Sequence, residues 1–494
     1  MSSSPSLRAC ALAGVLAVAA ARGSVITALP GAPKVAYKQV GGYVNYTSPM
    51  LGSTHFTYHW ITESQGNPAT DPIVFWTNGG PGCSGLFGFG FEMGAWFAQG
   101  DGTLLPNPLS WNRFATMVFI EQPAGVGFSY SSNPADYQLY NDSVAATDNA
   151  AFLTAFFNDY PEYRNLPLYL TSESYGGNYI PQVTMQILTG NDNRLKQQLK
   201  GFAVGNPVVS ITQETSNFVN IMNLVQADIF HGHSLIPSGF YDKFVEAGCA
   251  ALNPPSNPCD ELNTLMINYA GACFGGNACG DDMYANPFGN ASLGVATVPT
   301  VDVTSDWTTY LNRADVQAAI FAKKPRSPWN DCSDIGYDVT WPSSVPDYQA
   351  AFAAGLRVLI FSGDVDVSTC PFASTQVFVE YLTTLAGGEI TANWTSWAVG
   401  GLGGLAAGQT GGYIEKHRSF TFASVKGAGH EAPGYQPLAS FQLIKAFVTN
   451  TLDELAAPRA PAPAAPAQRK LTQSSILRSK IAQTLAARHA QQKA

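Results

Sequence analysis

Six short runs of β-branched, aromatic and aliphatic residues each break off into a glycine-bearing loop, and this pattern constrains the fold more than any other feature. Pro72-Ile73-Val74-Phe75-Trp76 precedes Asn78-Gly79-Gly80-Pro81-Gly82, and Thr116-Met117-Val118-Phe119-Ile120 precedes Pro123-Ala124-Gly125. Leu168 to Thr171 leads into Ser172-Glu173-Ser174-Tyr175-Gly176-Gly177, and Gly201 to Val204 leads into Gly205-Asn206-Pro207. Arg357 to Phe361 runs into Ser362-Gly363-Asp364-Val365-Asp366, and Phe420 to Val425 runs into Gly427-Ala428-Gly429-His430. Strands that are apolar along their whole length are buried on both faces, as in parallel sheets. Helical stretches at Asp142 to Asn158 and Tyr179 to Leu188 separate them. The predicted class is therefore α/β, with a mostly parallel central sheet and helices on both faces.

At 494 residues the chain can form one large domain carrying an insertion. Residues 24–210 and 336–456 form the two parts of the predicted core. The block 211–335 differs in texture, with five cysteines, the Pro-rich Asn253 to Pro258 and the Gly-rich Gly271 to Gly280. It reads as an inserted, disulfide-stabilised cap over the carboxyl ends of the strands. Gly400 to Gly412 reads as an exposed loop. Residues 1–23, with Arg8, an apolar stretch from Ala9 to Ala21 and small residues up to Gly23, read as a secretory signal peptide. Residues 457–494 form a basic Ala/Pro-rich tail with no acidic residue, read as a disordered extension. A net charge of -9 argues against a nucleic-acid binder, and no later run is long and apolar enough for a membrane span.

Loss of the leader removes Cys10 and leaves seven cysteines, enough for three disulfides and one odd thiol in an oxidising compartment. Asn-x-Ser/Thr sequons at Asn45, Asn141, Asn290 and Asn393 fit glycosylation on surface loops.

A serine on a tight strand-to-helix turn lifts its hydroxyl clear of the sheet, which makes Ser174 a candidate nucleophile. Such a hydroxyl needs an imidazole within reach and a carboxylate to orient that imidazole. Asp366 and His430, both at predicted strand ends, supply these groups, with Asp364 of the same turn as the second choice. The chain order Ser, Asp, His is that of α/β-hydrolases. A metal-dependent mechanism lacks its ligands, since the chain has no His-x-x-Glu and its close pair His231-Gly-His233 reads as a cap-loop feature. No metal and no cofactor is expected.

Five segments resemble the serine carboxypeptidase family of the α/β-hydrolase fold. They are Trp76 to Gly85 (Trp-Thr-Asn-Gly-Gly-Pro-Gly-Cys-Ser-Gly), Glu121 to Tyr130 (Glu-Gln-Pro-Ala-Gly-Val-Gly-Phe-Ser-Tyr), Glu173 to Gly177, Gly363 to Asp366, and Gly427 to Pro433. They run in family order over about residues 40 to 450. The resemblance implies Ser174 as nucleophile, His430 as general base and then acid, and Asp366 as the orienting carboxylate. It implies an oxyanion hole from the backbone N–H groups of Gly80 and Tyr175. It also implies recognition of a peptide's terminal carboxylate by Asn78, Gly79, Glu92 and Glu173. The family's bond from the Asn-Gly-Gly-Pro-Gly-Cys cysteine suggests pairing Cys83 with Cys332, which leaves Cys249 with Cys259 and Cys273 with Cys279 as local bridges, and Cys370 as the odd thiol. Departures include Thr77 for the usual Leu, Ser172 where Gly is frequent, Glu121 for Asp and Ala95 for Pro; none removes a reacting group.

Two acids facing a substrate carboxylate would repel it if both were ionised, so Glu92 or Glu173 must keep a proton. The expectation is an acidic optimum, with KM for a peptide rising between about pH 5 and 7. The resulting reading is a serine-type carboxypeptidase that releases C-terminal residues of peptides and proteins through an acyl-enzyme. The alternatives are a related acyltransferase that passes the acyl group to an alcohol, and a non-catalytic protective or binding partner. The expected location is the secretory pathway, with export or delivery to a vacuole or lysosome, and a homodimer is left open.

Overall fold

The computed structural model describes residues 22–209, 303–366, 369–385, 389–400 and 408–455, together with short pieces between 227 and 265. In chain order its strands are β1 (Ser24–Val25), β2 (Gln39–Thr47), β3 (Thr54–Thr62), β4 (Ile73–Thr77), β5 (Trp96–Ala98), β6 (Leu104–Pro106), β7 (Thr116–Ile120) and β8 (Tyr130–Ser131). They continue with β9 (Tyr140–Asn141), β10 (Leu168–Glu173), β11 (Leu199–Gly205), β12 (Tyr337–Asp338), β13 (Arg357–Gly363), β14 (Ile390–Ala398), β15 (Thr410–His417) and β16 (Thr421–Val425). One twelve-stranded sheet runs in the order β1-β2-β3-β7-β4-β10-β11-β13-β16-β15-β14, with β8 paired to β3.

The six runs read from the sequence are the six adjacent strands β7, β4, β10, β11, β13 and β16, and every pair among them is parallel. Antiparallel strands flank them on both sides. Side chains alternate between two cores. Val74 and Trp76, Met117 and Phe119, and Leu359 and Phe361 enter one. Ile73 and Phe75, Val118 and Ile120, and Val358 and Ile360 enter the other. Period-2 alternation with both sides apolar accounts for the uninterrupted hydrophobic runs.

The second core is covered by α2 (Asp142–Asp159, after the short α1, Gly85–Phe87) and α3 (Gly176–Thr189), through Phe152, Phe156, Ile180 and Val183. Asn141 caps α2, its side chain accepting from Val144 N. The first core takes Phe441, Ile444 and Phe447 from the helix Pro437–Thr449.

The structure redraws two expected boundaries. The cap expected over 211–335 includes residues 303–335, yet Trp307, Tyr310, Leu311, Val316, Ile320 and Trp329 are buried in the first core. The described pieces between 227 and 265 form a separate small cluster, with Phe230, Phe240, Phe244, Cys249 and Cys259 around Val365. Val365 is the neighbour of Asp366, so this cluster sits at the carboxyl end of β13. The loop expected over Gly400 to Gly412 gives way at Thr410 to β15. There Gly411 lies flat against Trp397, where a Cβ would come within 2.4 Å of the ring. Close packing, rather than loop freedom, explains the glycine. Residues 1–21 and 456–494, which hold nearly all of the predicted leader and tail, lie outside the described residues.

Candidate active site

The loops that follow the parallel strands converge at one end of the sheet, where a reversal of strand order opens a crevice in folds of this class. Ser174 stands between β10 and α3 with φ at 56°, a left-handed conformation that costs a non-glycine residue on the order of 1–3 kcal/mol. Its surroundings hold it there. Ser174 N donates to Gly205 O at 3.0 Å, and Ser174 O accepts from Val208 N at 2.7 Å and Gly177 N at 2.9 Å. A Cβ on Gly176 would lie 1.9 Å from Ser172 Oγ, and one on Gly177 would lie 2.2 Å from Val208 O. Bulk at either place would push the turn apart. Ser174 is half-buried between buried neighbours.

The loop after β4 presses on this turn. A Cβ on Gly79 would meet Tyr175 N at 2.4 Å and Ser174 Cβ at 2.7 Å, so only glycine brings the two backbones together. Gly80 follows with φ at +104°. The Tyr175 side chain is anchored away from the turn, its hydroxyl donating to Asp142 Oδ1 at 2.5 Å.

His430 Nδ1 lies 2.7 Å from Asp366 Oδ2, and both side chains are buried. Asp366 is itself held by donors: Asn206 Nδ2 at 2.9 Å, Cys370 N at 3.1 and 3.2 Å, and Thr369 N at 3.2 Å. Burial opposes a charged His430, but the negative charge of Asp366 and its hydrogen bond outweigh burial and raise the imidazole pKa. Asp364, the second choice, instead accepts from Gly427 N at 2.6 Å and so ties the two catalytic-end loops together. Asn206 is not among the residues expected at the site, although a polar residue between two strand-end motifs, in Gly205-Asn206-Pro207, is a readable signal. Its other end accepts from Gly363 N at 2.9 Å.

Asn78, Glu92 and Glu173 are all buried and bonded together. Asn78 Nδ2 donates to Glu173 Oε1 at 2.7 Å and to Glu92 Oε1 at 3.1 Å. Asn78 Oδ1 accepts from Trp76 Nε1 at 2.7 Å and Gly88 N at 3.1 Å, which fixes the amide orientation. Glu92 ends a π-helical turn, Gly88–Glu92. Opposite, a Cβ on Gly90 would lie 2.3 Å from the Trp307 ring. Burial, and secondarily the charge of Glu431, pushes the Glu92 carboxyl up to about 8. Burial, then the charge of Glu92, raises Glu173 well above the usual carboxylate range, while His430 and Asn78 pull the other way. Glu92 Oε2 and Glu173 Oε2 are buried and have no hydrogen-bond partner among the described residues. The expected titration between pH 5 and 7 thus moves upward, because both groups are fully desolvated. His430 and Glu173 each feel the other's charge, which lowers the Glu173 pKa and raises that of His430.

Glu121, at the end of β7, accepts from Ser84 Oγ at 2.6 Å, Trp329 Nε1 at 2.7 Å and Phe128 N at 2.7 Å. It ties the β4 loop to residues 303–335. Cys83 and Cys332 form a disulfide that does the same, and Cys249 pairs with Cys259. Cys273, Cys279 and Asn290 lie outside the described residues. Cys370 is buried and belongs to neither bridge. Asn45, Asn141 and Asn393 stand in strands rather than in the loops expected for them. His231 stacks on Tyr241, and His233 lies outside the described residues. Among the described residues no cluster of His, Cys, Asp and Glu could hold a metal ion, and no helix is long and apolar enough to cross a membrane.

Comparison with known proteins agrees with this geometry. Residues 30–450 match the family model described as serine carboxypeptidase. The chain is 31% identical over 452 residues to serine carboxypeptidase-like 25 of Arabidopsis thaliana, covering 86% of this chain and 90% of that relative. It is 32% identical over 453 residues to serine carboxypeptidase 24 of the same plant, covering 86% and 91%. A prohormone-processing carboxypeptidase from Saccharomyces cerevisiae has a similar structure, with a TM-score of 0.67 at 20% identity over 87% of this chain and 95% of that one, a likeness that bears on the fold. The chain carries the α/β-hydrolase fold and belongs to the serine carboxypeptidase family.

Proposed function

We propose that the protein is a serine-type carboxypeptidase that removes C-terminal residues from peptides and proteins. Ser174 Oγ attacks the last peptide carbonyl while His430 takes its proton. Asp366, bonded to Nδ1, holds the imidazole with Nε2 turned to the serine and stabilises the imidazolium. The developing oxyanion is received by the N–H groups of Gly80 and Tyr175. Collapse of the tetrahedral intermediate breaks the C–N bond, and His430 delivers the proton to the leaving amine. The free amino acid departs and leaves an ester on Ser174. A water then repeats the cycle, its proton passing to His430 and back to Ser174.

The observation that carries this reading is the buried Asn78–Glu92–Glu173 cluster beside the Ser174 turn. Burial penalises the charged form of a carboxyl, so these groups keep a proton and can donate it in a hydrogen bond to a substrate carboxylate. Asn78, Gly79 N–H and the protonated member of the Glu pair would grip the terminal carboxylate, which restricts cleavage to the last bond. The leader predicted at 1–23 would send the enzyme into the secretory pathway, outward or to a vacuolar or lysosomal compartment.

Two observations together test it: labelling of Ser174 by an organophosphate, and stepwise shortening of a free peptide with no shortening of its C-terminally amidated twin. Labelling without shortening supports an acyltransferase instead, and absence of labelling a binding protein. Ser174→Ala should lower kcat on the order of 10⁶-fold.

A further inference from the structure

The proposed oxyanion hole takes its two donors from different elements, Gly80 N from the loop after β4 and Tyr175 N from the turn between β10 and α3. Among the described residues neither N–H has a backbone acceptor, so both can donate to a substrate oxygen. Donors of this kind stabilise an oxyanion only when their separation and aim are fixed before the charge develops. The close contact at Gly79 sets how near the two backbones come, but it does not stop them from parting.

A single strap, residues 331–341, fastens both. At its first end Cys332 is bonded to Cys83, Ser333 N donates to Gly82 O at 3.0 Å, and Ser84 N donates to Asp331 O at 2.7 Å. Gly80 belongs to the same tight turn, where a Cβ would lie 2.9 Å from Cys83 Sγ. At its other end the strap meets Asp142, which is fully buried in the first turn of α2. Asp142 Oδ2 accepts from Thr340 N at 2.5 Å and Trp341 N at 2.9 Å. Asp142 Oδ1 accepts from the hydroxyls of Tyr337 at 3.1 Å and Tyr175 at 2.5 Å. The Tyr175 ring meets Tyr179 and Tyr337 edge-on, with ring centres 5.0 and 5.7 Å away. Four donors on two buried oxygens hold the carboxyl in one orientation, and with it the Tyr175 side chain.

We propose that Asp142 is a positioning residue of the oxyanion hole: it ties the Tyr175 hydroxyl to the strap that Cys332 ties to the Gly80 loop, and so fixes the distance between the Gly80 and Tyr175 N–H groups. The inference rests on the reading of Ser174 as the acyl-forming nucleophile, and it holds for hydrolysis and acyl transfer alike, since both pass through the same oxyanion. Asp142 touches no reacting atom and acts only through Tyr175. Loss of the bond between them frees the turn to tilt. A displaced Tyr175 N–H then stabilises the oxyanion less, while the hold on the substrate carboxylate by Asn78, Gly79, Glu92 and Glu173 is unchanged.

Tyr175→Phe removes the hydroxyl and little else. It should lower kcat about 10-fold for a free peptide and for an ester without a free carboxylate, and leave KM within about twofold. A peptide aldehyde reports on the hole directly: Ser174 Oγ adds to its carbonyl carbon, the hydroxyl proton passes to His430, and the aldehyde oxygen takes the oxyanion's place. Its Kd should rise about 10-fold in Tyr175→Phe. Asp142→Ala should lower kcat at least as much, and adding Tyr175→Phe to it should cost nothing more, because the bond is already gone. Tyr43→Phe, which also strips a buried hydroxyl, one bonded to Phe128 O and Lys323 N, should lower Tm and leave kcat unchanged. A lower Tm with kcat and aldehyde Kd intact in Tyr175→Phe, or additive losses in the double variant, overturns the proposal. Should Asp142→Ala fail to fold, Tyr175→Phe with the aldehyde decides it. A wild type that neither takes the organophosphate nor cleaves the ester removes the catalytic reading itself; a wild type that does both, with Tyr175→Phe unchanged, removes only the role of Asp142.

Discussion

At the scale of single residues, the site depends on groups held in states they avoid in water. Ser174 keeps a left-handed backbone, Glu92 and Glu173 keep a proton, and Asn206 spends its amide on fixing a carboxylate. Asn206→Ala should lower kcat on the order of 10²-fold with little change in peptide KM, because Asp366 loses a positioning donor while the carboxylate cluster is untouched. Steady-state kinetics together with the rate of organophosphate labelling, which should fall in parallel, check this. The Glu pair gives a pH signature. Its raised pKa means a proton is present at acid and neutral pH and lost on the alkaline side, so KM for a free peptide should rise as pH passes about 8. An ester or amide substrate without a carboxylate should show no such rise. His430 acts in the opposite sense: it must be neutral to accept a proton, and its raised pKa makes kcat fall toward acid. Rate profiles for the two substrate types separate the limbs, and the acidic optimum expected from the Glu pair alone is trimmed by His430. Ser174, Asp366 and His430 could be named from strand-end position and order; Asn206 carries the same strand-end signal, but its partner is set by β11 lying between β10 and β13.

At the scale of elements, the strand–turn–helix unit of β10 and α3 carries Ser174, the proposed nucleophile, and the β4 loop is pressed against it by the absence of a side chain. Gly79→Ala should keep the circular dichroism spectrum but lower kcat on the order of 10²-fold, since the new Cβ must displace the Tyr175 N–H or the Ser174 side chain. The parallel strands were legible because burial on both faces leaves an unbroken apolar run. β2, β3, β14 and β15 were not. Their polar and glycine-rich sequences include buried His55 and His59 on β3, whose nitrogens lie against Asp136, Asp148 and Tyr160. Such polar positions are filled by tertiary partners that no local pattern announces. Gly411 and Gly412 likewise resemble a loop until Trp397 covers them.

At the scale of the whole molecule, residues 303–335 close the first core and connect, through Trp329 with Glu121 and the Cys83–Cys332 bond, to the loop that holds Gly79 and Gly80. Core and active site are thus one unit. Burial of three carboxyls also gives stability a pH dependence. Glu92 is raised to about 8 and Glu121 to about 7, each chiefly by burial, and Glu173 is raised further. A carboxyl whose folded pKa exceeds its unfolded value binds its proton more tightly in the native state. Its favourable share is therefore present below about pH 4.5 and is lost as pH climbs to the folded value. Tm should fall between pH 5 and 8 in calorimetry, and Glu92→Gln, neutral throughout, should flatten the upper part of that slope.

The amino-acid sequence by itself determined the six buried strands, the order of the reacting groups along the chain and the family, because apolar runs and glycine turns are local consequences of burial and backbone geometry. The tertiary structure alone decided which polar residues meet. It chose Asp366 over Asp364 for His430, placed Asn78 between two carboxyls, and gave 303–335 to the core. Those outcomes depend on which strand lies beside which and on how completely water is excluded, and neither is written in any short stretch of residues.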